Sequence, residues 1–166
     1  MSLDPFLQLG NLLAIVIAIA GGFVRGYTGF GSGMIMAPLL AILWGPVEAV
    51  ATTVGLGLLA TVQLAAPSVP LTNWREVGPM MAATFPFILV GTALLVSLDP
   101  EIVKKIIAVL VLTIALITLR GWTYRGPRGV LPSMISGAIS GIINGIAAVG
   151  GPVVVLYLMA MPDEAR

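Results

Sequence analysis

Residues 21–40 read GGFVRGYTGFGSGMIMAPLL. Six glycines, a serine and Arg25 interrupt an apolar run, where an ordinary spanning helix carries neither clustered breakers nor a charge. The apolar residues that follow, 34–44, number eleven and rise only about 16 Å as a helix, roughly half of a hydrocarbon core. Those that precede, 6–24, come close to the roughly 20 that a crossing needs. A helix break between Arg25 and Gly33 at membrane depth reconciles the two lengths. The pattern therefore predicts a broken or re-entrant helix pair over 6–44. Two separate crossings, 6–24 and 34–44, are the alternative, and both arrangements put the N-terminus on the same side.

Composition sets the environment for that stretch. Of 166 residues, 58% are apolar and only 9% charged, and the apolar runs are long, so the chain is expected to be an all-α, polytopic transmembrane bundle. The lipid bilayer is its first partner. A net charge of +1 gives no electrostatic reason to expect nucleic acid. The absence of cysteine and histidine removes thiol nucleophiles, the usual zinc sets and the near-neutral proton switch. No pair of acids is spaced to meet at depth, so neither an enzyme nor a cofactor or metal site is expected. The N-terminus lacks the basic segment of a cleaved signal peptide and reads as mature structure.

Outward from the glycine stretch, Trp44, Gly45 and Pro46 mark an interfacial turn, with Glu48 near the positive end of the next helix. Residues 47–66 then span. At about 100° per residue, Glu48, Thr52, Gly55, Leu59 and Gln63 share one narrow stripe, which in lipid should face the bundle. That stripe serves inter-helix hydrogen bonding or, through Thr52 and Gln63, lines a pathway. Further spans are expected at 77–98, kinked by Pro86, and at 102–119, opened by Asp99, Pro100 and Glu101. Lys104 and Lys105 can snorkel to that surface. The 120–129 connection carries Arg120, Arg125 and Arg128 with two aromatics, which makes it cytoplasmic by the positive-inside rule. Counting back through the spans puts the N-terminus outside.

An internal repeat organises the whole. Gly137-x-x-x-Gly141 followed by Gly145 echoes Gly22-x-x-x-Gly26 followed by Gly29, with one residue inserted. Gly150, Gly151 and the apolar run after them echo the run from Gly33 around Pro38, and Pro162-Asp163-Glu164-Ala165 echoes Pro46-Val47-Glu48-Ala49. The first copy is 1–125 and the second begins at 126–166, with its own broken pair over 130–161. A hairpin plus three spans is an odd number of crossings, so the second copy is inverted, as in secondary transporters. The same logic expects roughly three more spans, which makes the second repeat truncated; completion by a homo-oligomer is the alternative.

A half-helix that starts at depth leaves backbone N–H groups unpaired at its positive end. Gly29, Gly31 and Gly33 allow a ligand close to that backbone, Thr28 and Ser32 add hydroxyls, and Arg25 adds a fixed cation suited to a sulfonate or carboxylate. In the second copy Asn144, Gly150 and Gly151 would supply facing donors, with Ser140 in the place of Arg25. Each has a plainer reading: the paired glycines as packing faces, and Arg25 as an interfacial charge.

The stretches GGFVRGYTGFGSGMIMAPLL, PVEAVATT and GAISGIINGIAAVGGPVVVLYLMA resemble the TauE/SafE family of sulfite exporters, the toluenesulfonate uptake permeases. The resemblance covers nearly the whole chain and is most specific in the two glycine-rich stretches. It implies an inner-membrane transporter of small anions such as sulfite, sulfonates and related organosulfur or organic acids, built from two repeated halves. A passive pore, a structural membrane subunit and an inactive fragment are the competing readings. Coupling stays open between substrate protonation, Glu48 with its counterpart Glu164, and residues further along.

Overall fold

Two glycines with left-handed backbone, Gly29 (φ 80°) and Gly31 (φ 92°), stop the first helix and start the second. In the computed structural model, which describes residues 5–122, 124, 126 and 129–159, helices stand where the apolar runs are. They are α1 (Pro5–Thr28), α2 (Ser32–Leu43), α3 (Pro46–Ser68), α4 (Trp74–Ser97), α5 (Pro100–Leu119), α6 (Val130–Ala147) and α7 (Gly151–Leu158), with a 3-10 turn at Val69–Leu71. Among the described residues there is no strand, and five helices are long and apolar enough to cross a membrane. The chain is a multi-pass helical membrane protein. The echo at residues 162–165 and the Arg125 and Arg128 side of the basic connection lie outside the described residues.

Local chemistry sets the helix ends. Gly45 (φ 102°) turns the chain between α2 and α3. The Asn73 side chain accepts from Arg75 N at 3.3 Å, and Asp99 accepts from Glu101 N at 2.8 Å with Pro100 just inside the helix. Ala148 (φ 55°) ends α6 without a glycine's freedom.

In lipid there is little hydrophobic drive between helices, so close approach depends on small residues. α4 and α6 meet in this way. A Cβ on Gly137 would overlap Met80 O, one on Gly141 would lie 2.6 Å from Thr84 O, and one on Gly145 would lie 2.5 Å from Ile88 O. Three glycines four apart thus sit on three backbone positions four apart, in ascending order on both helices, so α4 and α6 run parallel. Thr84 Oγ1 also reaches Gly137 O at 3.1 Å. In contrast, Gly22 and Gly26 of α1 face open space.

Although only 12 residues long, α2 supplies much of the core through Met36, Ala37, Leu40 and Ala41, packed with Ala49, Val50, Val103, Ile107 and Val149. Phe23, Tyr27, Phe85 and Leu89 point outward, as side chains facing acyl chains can.

The polar stripe of α3 faces the other way from the expectation. Glu48, Gly55, Leu59 and Gln63 are exposed and Thr52 is half-buried, while Ala49, Val50, Thr53 and Gly57 turn inward. α2 needs small and apolar partners on α3, and these lie on the neighbouring face. Glu48, in the helix's first turn, and Gln63, towards its other end, can reach water by extending along the helix rather than turning inward.

Candidate functional site

α2 folds back along α1. A Cβ on Gly21 would come within 2.6 Å of Met36 Cγ, and Leu40 and Trp44 lie with Ala18, Ala14 and Asn11. α3 then runs alongside α2 in the opposite sense and brings Gly57 and Thr61 level with the tip of this hairpin, where Arg25 Nη2 donates to Thr61 Oγ1 at 2.6 Å. Residues 62–68 carry α3 about 10 Å past that level, so the tip falls short of the far end of α3. Arg25 is one turn before the end of α1, and the break falls at residues 29–31.

α6 and α7 form a second hairpin. Ser133 and Tyr157 share a buried hydroxyl–hydroxyl hydrogen bond of 2.9 Å, and near the tip Ser140 Oγ donates to Gly150 O at 2.9 Å. Asn144 Oδ1 accepts from Gly150 N at 3.4 Å. α1 rises with α3 and α6 rises with α4, while the turn between α3 and α4 reverses the chain. The two hairpins therefore enter from opposite ends of the bundle and meet tip to tip. At the meeting point a Cβ on Gly33 would overlap the Ala148 carbonyl, and one on Gly151 would stand 3.6 Å from Phe30 Cβ.

The helix ends also fix how the two tips correspond. Thr28 and Ala147 end the incoming helices, Ser32 and Gly151 begin the outgoing ones, and both pairs are 119 residues apart. At that offset Gly22 and Gly26 match Gly141 and Gly145 with no insertion. Asn144, not Ser140, then occupies the place of Arg25, and Ser140 matches Gly21. The glycine spacing allowed either register because glycines recur every four residues from 137 to 145; the position of the break decides between them.

Between the tips lies a cavity of about 330 Å³. Of the residues expected from sequence, Arg25, Gly31, Ser32, Gly33, Asn144, Gly150 and Gly151 line it. Four others lie elsewhere. The Thr28 hydroxyl is committed to the turn, 2.8 Å from Val24 O and accepting from Phe30 N at 3.3 Å. Gly29 shapes that turn but does not line the cavity. Thr52 borders a separate, apolar hollow with Trp44 and Asn11, and Gln63 is exposed.

Thr53 and Thr61, which the sequence reading does not name, also line the cavity, as does Ser140, which it names only as the counterpart of Arg25. The signal for the first two is the spacing Thr53, Gly57, Thr61, four residues apart on one face of α3.

The electrostatics are simple. Among the described residues Arg25 is the sole ionisable side chain lining the cavity. One guanidinium nitrogen holds Thr61, whose hydroxyl in turn lies 2.8 Å from Gly57 O, while Arg25 Nε and Thr53 Oγ1 are buried with no hydrogen-bond partner. No side chain caps the start of α2 or of α7. A positive charge, unpaired donors and glycine-thin walls suit a small oxyanion. A second cavity of about 540 Å³, lined mainly by α5, α6 and α7, is almost wholly apolar; it holds the buried, unpartnered Ser136 hydroxyl but, among the described residues, no charged side chain.

The chain matches the family model described as Sulfite exporter TauE/SafE over residues 13–164. No curated protein and no solved structure matches it.

Proposed function

The chain belongs to the TauE/SafE family of sulfite exporters, membrane transporters of sulfur-containing anions, and we propose that the cavity between its two hairpin tips is the substrate site. The observation that carries this reading is Arg25, a half-buried cation with a buried unpartnered N–H and, among the described residues, no carboxylate beside it in the cavity. Such a group is costly in a membrane interior unless something anionic answers it. Ser32, Thr53 and the Asn144 amide nitrogen, with the backbone at Gly33 and Gly151, would hold the remaining oxygens of a sulfite, sulfonate or carboxylate.

Hairpins that enter from opposite ends suit alternating access by an inverted pair of repeats, each tip closing one side of a common site. In this reading the protein sits in the inner membrane with the 120–129 connection cytoplasmic and the N-terminus outside. The test is saturable flux of sulfite or methanesulfonate by the purified full chain in proteoliposomes, each competing with the other. Flux that rises linearly with concentration and ignores the competitor would make the site a passive pore instead.

A further inference from the structure

We infer that the cavity is built for a singly charged anion, so that a polyprotic substrate such as sulfite is carried as its monoanion. The inference rests on the anion-site reading above and adds the charge state. The net charge of the site is the first ground. Arg25 comes from α1, and among the described residues α2, α3, α6 and α7 contribute no titratable side chain to the lining. Helix ends do not raise the total. Each break sets the negative end of an incoming helix beside the positive end of an outgoing one, and charges of about half a unit each cancel. What remains is one fixed positive charge. A monoanion neutralises it, whereas a dianion leaves one negative charge that no group of the lining answers.

The unpartnered atoms are the second ground. Arg25 Nε can only donate. Thr53 is 3% exposed, lines the cavity and has a hydroxyl with no partner. A hydroxyl donates to an ionised oxygen or accepts from a protonated one, so the site can satisfy a sulfonate as well as an acid that keeps a proton. The second proton of sulfite titrates near neutral pH. Carrying its monoanion moves that proton with the substrate and releases it to bulk water after exit. Flux is then linked to the proton gradient without a carboxylate from the cavity lining, which among the described residues holds none.

The experiment measures binding to the purified full chain by calorimetry at about pH 5.5 and about pH 8.5, with three probes. Methanesulfonate is a monoanion at both values, sulfate is a dianion at both, and sulfite changes between them. Methanesulfonate is expected to bind equally at the two pH values, sulfate at least about tenfold more weakly, and sulfite about tenfold more weakly at the higher value than at the lower. Sulfate binding as tightly as methanesulfonate, or sulfite affinity level or rising with pH, would overturn the charge selection while leaving an anion site in place. Binding of no anion at either pH would overturn the anion site itself, and the selection with it. Thr53→Val keeps the shape and removes the orphan hydroxyl. It is expected to leave the unliganded melting temperature unchanged or higher and to weaken both sulfite and methanesulfonate by about tenfold. Unchanged affinities in that folded variant would overturn the part given to Thr53.

Discussion

Arg25→Gln is expected to lower anion flux by about two orders of magnitude while raising the thermal stability of the unliganded protein. A hydrogen bond to a charged group contributes about 1.5 to 3 kcal/mol, and each 1.4 kcal/mol is about a factor of ten, so one lost cation accounts for a change of that size. The gain in stability has a separate cause. Arg25 makes a hydrogen bond to Thr61, and its Nε is buried without a partner. A charge held so sparsely is costly away from water, up to about 2.5 to 3.5 kcal/mol at the centre of a membrane on insertion scales, and the neutral amide removes that cost. Arg25→Lys keeps the charge but loses the planar fork, so it should fall between the two. Proteoliposome flux set beside a detergent melting curve checks both halves. Wild-type flux in the glutamine variant would remove Arg25 from the site.

Gly145→Ala and Gly26→Ala form a matched pair with opposite expected signs. The two glycines occupy corresponding places, 119 residues apart, one turn or less before their helix breaks. In the middle of a helix alanine is ordinarily better than glycine by about 0.5 to 1 kcal/mol, and at Gly26 a new Cβ would meet nothing. That variant should be neutral or slightly stabilised. At Gly145 the same methyl would stand 2.5 Å from Ile88 O, 2.7 Å from Thr92 N and 2.8 Å from Gly91 Cα. All three atoms are backbone, so no side chain can swing aside, and α6 must move off α4. A loss of about 3 kcal/mol or more is expected, at the upper end of overpacking costs. Equal melting temperatures for the two variants would show that α4 and α6 do not pack as described.

The first break was legible in sequence because it stands out chemically: clustered glycines and an arginine beside an apolar run too short to cross. The helix spans were legible for a similar reason, since apolar runs bounded by Trp44–Gly45–Pro46 or Asp99–Pro100 leave little choice of where to stop. Orientation about each helix axis was not. Periodicity found a polar stripe on α3, but which face turns inward depended on what α2 could pack against. Thr53, one residue from the Thr52 expected from sequence, lines the cavity instead. The repeat register failed differently. Glycines every four residues from 137 to 145 fit the first copy in two ways, and only the helix ends choose between them. Thr28 and Gly29 show a further limit, because the residues that make a turn and those that line a site look alike in a glycine-rich stretch.

The meeting of the two tips also has a cost in time. Phe30 and Gly33 are synthesised 119 residues before the matching positions Val149 and Pro152 with which the finished site is closed. At about 5 to 20 residues per second, the ribosome leaves the first hairpin waiting about 6 to 24 s for its partner. During that interval a half-helix of about 18 Å lies beside lipid with a polar end and nothing across from it. Because the chain has no cysteine, a Phe30→Cys probe reads the wait directly. It should react with a membrane-permeant thiol reagent in nascent chains arrested before Val149, and become shielded once Leu158 has left the ribosome. The glycine-rich tip is thus a period of vulnerability during synthesis as well as a place in the finished protein.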